Sequence, residues 1–517
     1  MNNPSLSTLR KFCEEAKKIL AKEKYIAEFE VYASSHSSSI GRICYTSHIP
    51  SNGLEEPKNI DAQGYNLRVV IREEDRPLVG QICVYGDFSI ESLRGAIKQA
   101  REAAIYDENF KSLPKPDWEK QKQTAKIKKS IPEVSDSDLV KTCWKEISNT
   151  LKTIKASKEL DTLIKSKKIK GFKDLGIIIN GDITTVHDKI AIGSSHFTRV
   201  ISDETMYSRS FITVMIESET AKGTGFEIAS GLKGLKASAG IQAAKSAIDS
   251  IGGKRLDRKG KYSVVLGPQP VKDIWNYLVL PSLNVFTFYA GSSAFMGKAN
   301  KPITIKGLDC FDSPQDGAIK HSISCDGFNK NRTQLIKDGI LTGMLASDYD
   351  QRLFNNDPNA KEKLGIDPKT FFKNCVPSNG CRIPSLGGRH FFVSAETMPT
   401  NVIIKGKNKT PVEKIIKTIK DGVYIGRIWY TYAINGLAAG DFSSTIIGDS
   451  YIIKNGKIVA PLKPNTVRIN DNISNILGNI FAFGPTIKPI QAWSNYYVLY
   501  TPEIAVHNVH LEPIAKE

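Results

Sequence analysis

The sequence has few of the residues that metal and disulfide chemistry need: eight cysteines and eight histidines in 517 residues. Cys13, Cys44, Cys83, Cys143, Cys310, Cys325, Cys375 and Cys381 are spread too widely for a disulfide scaffold. No two of His36, His48, His187, His196, His321, His390, His507 and His510 stand four apart, the spacing that puts two imidazoles on one helix face. Met1–Leu20 carries charges at helical spacing and no seven-residue apolar core, so no signal peptide is expected. Sparse, reduced thiols without a secretion signal lead us to expect a cytoplasmic protein. A tandem repeat at fixed period is also missing, which argues against a solenoid.

Long uncharged runs are rare, with one exception. Ile274–Gly297 has no charged residue and is long enough to cross a bilayer. Asn276, Pro281, Ser282, Asn284, Thr287, Gly291, Ser292 and Ser293 interrupt it, however, and Pro281 should end a helix begun at Val271. A buried helix followed by a buried strand is the expectation, with no membrane span.

What is present is ordinary for a folded chain, apart from its charge. Hydrophobic residues make up 40% and charged residues 24%, whereas the formal net charge is +17. Such a balance invites a polyanion as partner. Much of it falls in Lys115–Lys129 and in scattered lysines, and no nucleic-acid motif accompanies it. A Lys-rich solvated surface is the simpler account, and nucleic acid is not the expected partner.

The length suggests at least two domains. The first helix carries Leu9, Phe12, Ala16, Ile19 and Leu20 on one face. Ile26–Tyr32 reads as a strand, Gly64–Arg72 with Leu78–Tyr85 as a hairpin, and Ser89–Ala104 as a helix. Asn109–Ser137, rich in lysine and proline, reads as an exposed excursion. Leu139–Lys168 is a long helical region, and strands run from Leu175 to Glu217. A helix with Ala237, Ile241, Ala244 and Ile248 on one face precedes a boundary near Gly253–Lys261. The expected class is α+β: a mixed helix and antiparallel-sheet domain over 1–255, then a β-rich domain over 256–517.

Thr410–Lys463 is the most legible stretch. Thr410-Pro411-Val412-Glu413 predicts a capped helix start, with Gly422 as its C-cap. Val423–Gly426 and Ile428–Tyr432 are strand-like, and Asn455-Gly456 between apolar runs predicts a hairpin.

Several clusters offer chemistry on paper. Cys375 and Cys381 could pair, or join His390 at a metal; small buried or loop thiols are the plainer reading. His507 and His510 lie three apart in a strand, on opposite sides. Asp309, Asp312, Asp316 and Asp326 lack the regular spacing of a calcium loop and suit turns. Gly436–Ser444 lacks both the lysine and the glycine spacing of a phosphate cradle.

Three ordered motifs resemble the TldD/PmbA family. Gly440-Asp441-Phe442-Ser443, Gly448, Tyr451–Ile458 and Pro461 follow its C-terminal pattern. Asp326-Gly327 with Arg332–Leu341 is similar to its "D.EG…RT.LI.dG.L" stretch, and Gly64–Val70 with the Ser89 helix to its opening unit. One branch of that family is a zinc peptidase with H-E-x-x-x-H on the helix after a "VVLGP" strand and a cysteine ligand near the C-terminus. Here the strand is Val264-Val265-Leu266-Gly267-Pro268, but the histidine positions fall on or beside Asn276 and Leu280, and Cys381 is the last cysteine. The resemblance is therefore to the TldE (PmbA) branch.

That resemblance implies no catalytic residue, metal ligand or cofactor in this chain. Zinc is expected in a TldD-like, metal-bearing paralogue that pairs with it. A homodimer is expected in isolation, and a flexible peptide as substrate. Candidate peptide- or partner-binding residues are Asp326, Arg332, Gly440, Asp441, Phe442 and Ser443. Arg332 would hold a peptide carboxylate or, more commonly for such a residue, form a structural ion pair. The runner-up is a nucleic-acid-associated, DNA-gyrase-modulating protein.

Overall fold

The computed structural model describes residues 3–49, 53–73, 76–116, 131–168, 170–373, 375–384, 387–491 and 496–514. Most of Lys115–Lys129 lies outside them. Within the described part of the Asn109–Ser137 excursion, Phe110 and Leu113 are buried against Val70. This segment is packed, contrary to the exposed course expected of it. Its two apolar side chains cover a strand of the sheet beneath.

The first half is built on an eight-stranded antiparallel sheet. Its main strands are β1 (Ile26–Thr46), β2 (Lys58–Glu73), β3 (Arg76–Tyr85), β4 (Ile177–Ser194), β5 (Ile201–Ile216) and β6 (Ala221–Ala229). The spatial order is β3-β2-β1-β4-β5-β6, with Ile105–Tyr106 beyond β3 and Gly53–Leu54 on β1. Odd positions of β1 face helices. Phe29, Val31 and Ala33 pack on α1 (Leu6–Leu20) and α2 (Ile90–Glu102), whose first turn Ser89 caps. Ile43 packs on α3 (Asp136–Lys155) and α4 (Ala239–Asp249). The long helical region is two helices, α3 and Lys158–Lys167, separated where Ser157 caps the second. In α4 the inward face is Ala239, Gly240, Ala243, Ala244 and Ala247, so Ile241 and Ile248 sit at its margin. Small residues win that face because Gly223 and Gly225 of β6 bring the helix backbone into contact.

The second half holds a closed barrel. β7 (Gly260–Leu266), β8 (Asp421–Ala433), β9 (Asp441–Lys454), β11 (Val467–Asn472) and β12 (Ile504–Pro513) pair in the cycle β8-β7-β12-β11-β9-β8. β10 (Lys457–Pro461) extends from β9 through the Asn455-Gly456 turn, whose φ values of 48° and 75° suit a tight hairpin. Val264, Leu266, Val423, Ile425 and Ile469 share one core with Trp275, Leu278 and Leu283, whereas Val265 faces Ile415 and Ile416. A second sheet of six strands, including Leu308–Asp312, Thr333–Lys337 and Asn401–Gly406, flanks the barrel.

Several local expectations fail here. The helix of Val412–Lys417 starts at Pro411 with no side-chain cap, so Thr410 does not cap it. Gly422 lies in β8 rather than ending the helix, because a Cβ there would meet the Ser263 carbonyl at 2.2 Å. The uncharged stretch is a helix through Pro281: α5 (Pro268–Ile274), a π turn (Trp275–Val279), then Leu280–Ser282. The wider π turn accommodates the N–H that Pro281 lacks. Val285–Tyr289 is a short helix capped by Asn284 and not a strand. Ile274, Trp275, Leu278, Leu280, Leu283, Val285 and Phe288 of the stretch are core, and no helix among the described residues is long and apolar enough to cross a membrane.

Candidate functional site

Even positions of β1 present Glu30, Tyr32, Ser34 and His36 to the second half of the chain, and all four are buried. Antiparallel register sets Asp188 opposite His36, Arg68 opposite Glu30, and Asp203 opposite Ile190. Segments 320–330, 379–384 and 387–391 close over this face. The result is a buried ionic seam.

At one end of the seam the Glu30 carboxylate accepts two hydrogen bonds from Arg68, at 2.8 and 3.1 Å, with Arg382 at 3.6 Å. In the middle, His36 Nδ1 lies 2.7 Å from Asp188, and Arg389 donates to Asp203 at 2.7 Å. Burial pushes the Asp188 carboxyl up, but the bond and charge of His36 hold it below the usual range. His390 stacks on His36 with centroids 4.3 Å apart. Burial, then the His36 charge, lowers its pKa to about 4.

Asp326 lies in the same seam, close to Asp348 and Arg68. Burial and then the Asp348 charge raise its carboxyl to about 7. Asp348 itself pairs with Arg352. Paired charges of this kind do not by themselves stabilise a fold, since desolvation offsets their attraction. Perturbed carboxyls collected at one face are a mark of functional sites.

The helix after β7 carries a separate buried charged pair. Lys272 and Asp273 on α5 are both buried, 3.8 Å apart. Burial lowers the Lys272 pKa to about 8 and raises that of Asp273 to about 6. One turn on, Asn276 accepts a hydrogen bond from Tyr497 at 2.6 Å. Leu280, one turn further, belongs to the hydrophobic core. Among the described residues no group of three or more His, Cys, Asp or Glu side chains is placed to hold a metal.

The other residues singled out from the sequence are dispersed. Arg332 stacks its guanidinium 3.4 Å from the centroid of Phe311 and donates to Gln334. It makes no ion pair among the described residues, so the structural role expected of it is met by stacking instead. Gly440 turns the chain with φ 73°, and Asp441 accepts from Asn472 and Asn435. Phe442 is in the core, and Ser443 donates to Asn470 at 2.7 Å. These four residues lock the start of β9 onto β11; Asp326 lies apart in the seam.

Cys375 and Cys381 are free thiols. Cys381 neighbours Lys330 at 3.3 Å, whereas His390 stacks on His36. Asp309 pairs with Lys337, and Asp312 accepts from the Thr400 and Asn401 backbone. Asp316 accepts from Ser313, so these three acidic residues have separate partners within the protein. His507 stacks on Phe481 and His510 bonds the Asn470 carbonyl. The seam itself was not anticipated. Its one sequence signal is the placing of Glu28 and Glu30 at alternate positions of a strand, charged on a face that should otherwise be apolar or solvated.

Residues 259–512 match the family model described as the PmbA/TldA metallopeptidase C-terminal domain. This region is a PmbA/TldD-family domain. It contains the barrel, the helix with Asn276 and the loops that close the seam. A 217-residue stretch is 28% identical to an uncharacterized protein of Methanocaldococcus jannaschii, covering 41% of this chain and 44% of that one. A 177-residue stretch is 26% identical to a protein of Synechocystis sp. named as a metalloprotease, covering 34% and 31%. The chain thus spans less than half the length of either relative.

Among solved structures the fold is similar to TldE from Thermococcus kodakarensis, with TM-score 0.73 and 15% identity over 97% of this chain and 99% of that one. A protein of Thermotoga maritima described as a candidate modulator of DNA gyrase gives TM-score 0.70, with 14% identity over 97% and 99%. The fold shared with these two structures extends through both halves, the N-terminal sheet included.

Proposed function

We propose that the chain is the non-metal, TldE-like subunit of a TldD/TldE-type peptidase complex in the cytoplasm. It pairs with a metal-bearing TldD-like paralogue, which supplies the zinc, and helps to admit flexible peptides. Alone it forms a homodimer. The observation that carries this reading is the helix after β7: Asn276 is engaged by Tyr497 and Leu280 is packed into the core. The two histidines of H-E-x-x-x-H stand five apart, and no residue at or beside Asn276 and Leu280 carries an imidazole to bind a metal. The relative named as a metalloprotease and the similarity to TldE support the peptidase setting.

A second reading rests on the +17 charge and on the name of the Thermotoga neighbour: a basic DNA-associated protein. Non-specific contacts of a diffuse basic surface collapse by roughly 200 mM salt. Duplex DNA should then be lost from the purified chain below that concentration; sequence-specific retention above it would favour the second reading.

The primary reading is tested by co-elution. Tagged chain recovered from its native cell extract should carry a partner with H-E-x-x-x-H, and elemental analysis should place zinc with that partner. One tightly held zinc per chain of the isolated protein, retained on dialysis, would overturn the assignment.

A further inference from the structure

A cavity of about 600 Å³ lies between β4, β5 and β6 of the N-terminal sheet and β8 and β9 of the barrel. Its walls include Ile178, Met215 and Trp429, and Arg427, Lys222 and Asp449 bring charge to it. The Arg427 guanidinium lies 5.5 Å from the ring centroid of Phe211 and 5.9 Å from that of Trp429. It makes no hydrogen bond or ion pair among the described residues. Asp449 accepts from the Thr224 hydroxyl with one oxygen, and its other oxygen, Oδ1, is buried without a partner. The two opposite charges therefore face one cavity without pairing to each other. The Arg427 guanidinium therefore keeps its donors for a ligand in the cavity, where a charge-assisted hydrogen bond outweighs a neutral one.

The backbone around them is also held out of its ordinary range. Tyr430 and Asp449, both non-glycine, have φ of 56° and 49° within β8 and β9. The register of that strand pair shifts between Arg427 and Ile428 and again between Trp429 and Tyr432. Bulges at a barrel rim re-aim side chains, and left-handed non-glycine residues of this kind cluster at binding sites. Here they line the same cavity, with Tyr430 72% exposed at its mouth.

We infer that this cavity binds the free C-terminal carboxylate of a short peptide whose last residue is apolar. The carboxylate meets Arg427, with Lys222 adding positive potential. Ile178, Met215 and Trp429 take the terminal side chain, so affinity for that residue grows with its apolar area. The inference deepens the reading of this chain as a peptide-handling subunit, and it locates the contact in this chain rather than in the partner.

The test uses isothermal titration of the purified full chain, without any partner, against Ala-Ala-Phe as the free acid and as its C-terminal amide. The acid should bind and the amide should be weaker by about tenfold or more, since one charge-assisted contact is lost. Arg427→Met should weaken the acid to the level of the amide and leave the amide unchanged. Equal binding of acid and amide, or no binding up to about 10 mM peptide, would overturn the inference. So would full affinity in a folded Arg427→Met protein. The acid–amide contrast is read on the unmodified chain, so it stands even where the variant fails to fold. Because no partner is present, failure here leaves co-elution with a metal-bearing paralogue untouched, and loss of co-elution leaves this site untouched.

Discussion

Asp326 shows how strongly burial governs single residues in this protein. Its folded-state pKa of about 7 lies above the ordinary 3.8, so the folded chain holds a proton that the unfolded chain releases. The sign follows: no penalty below pH 3.8, a loss of stability as pH rises, and the full loss above about 7. Asp326→Asn removes that titration. The variant should match the parent near pH 4 and exceed it at pH 8 by on the order of a few kcal/mol, measured by denaturant unfolding at both pH values. A parent whose stability is flat over that range would contradict the burial assigned to Asp326. Arg332 behaves differently. Its contact with Phe311 is a stacked one, so Arg332→Lys should lose most of the interaction although it keeps the charge.

At the scale of elements, close backbone contact sets the shape of the sheet that backs the cavity. A Cβ on Gly225 would lie 1.9 Å from the Ala239 carbonyl oxygen, so α4 would have to move away from β6. Gly225→Ala should cost about 1–3 kcal/mol, read as a lower denaturant midpoint with an unchanged slope. Elements whose cues are local were legible in the sequence. Ser89 announces α2, Asn455-Gly456 announces the β9–β10 hairpin, and the apolar periodicity of Leu9, Phe12 and Ala16 announces α1. β1 was legible only as far as Tyr32, because Ser34–Ser39 is a polar run with no alternation to read. It remains a strand because both its faces are covered, one by helices and one by the seam. The continuation of α5 past Pro281 depends on a π turn, for which periodicity gives no cue. Asp326 was marked in the sequence by its motif, yet its neighbours Arg68 and Asp348 come from distant segments and meet it only in space.

At the scale of the whole molecule, the two halves meet across buried charge set among apolar contacts, such as Tyr32 and Ile190 with Phe391 and Val186 with Val498. Arg389 is the clearest link, since it reaches from a loop of the second half to Asp203 and toward Asp188 of the first. Arg389→Met would leave carboxylates buried without their cation, a loss of about 3–5 kcal/mol. Its urea unfolding should show that loss, with the first half released before the barrel. In the proposed complex this seam would hold the two halves in a fixed relation while peptide is presented to the partner. The most direct test of that role is proteolysis of an unfolded peptide by this chain, by a TldD-type partner from the same cell, and by the two mixed. Cleavage should appear only in the mixture, vanish with a chelator or on loss of the partner's H-E-x-x-x-H, and survive replacement of Asn276. A partner that is fully active alone and never co-elutes with this chain would contradict the account.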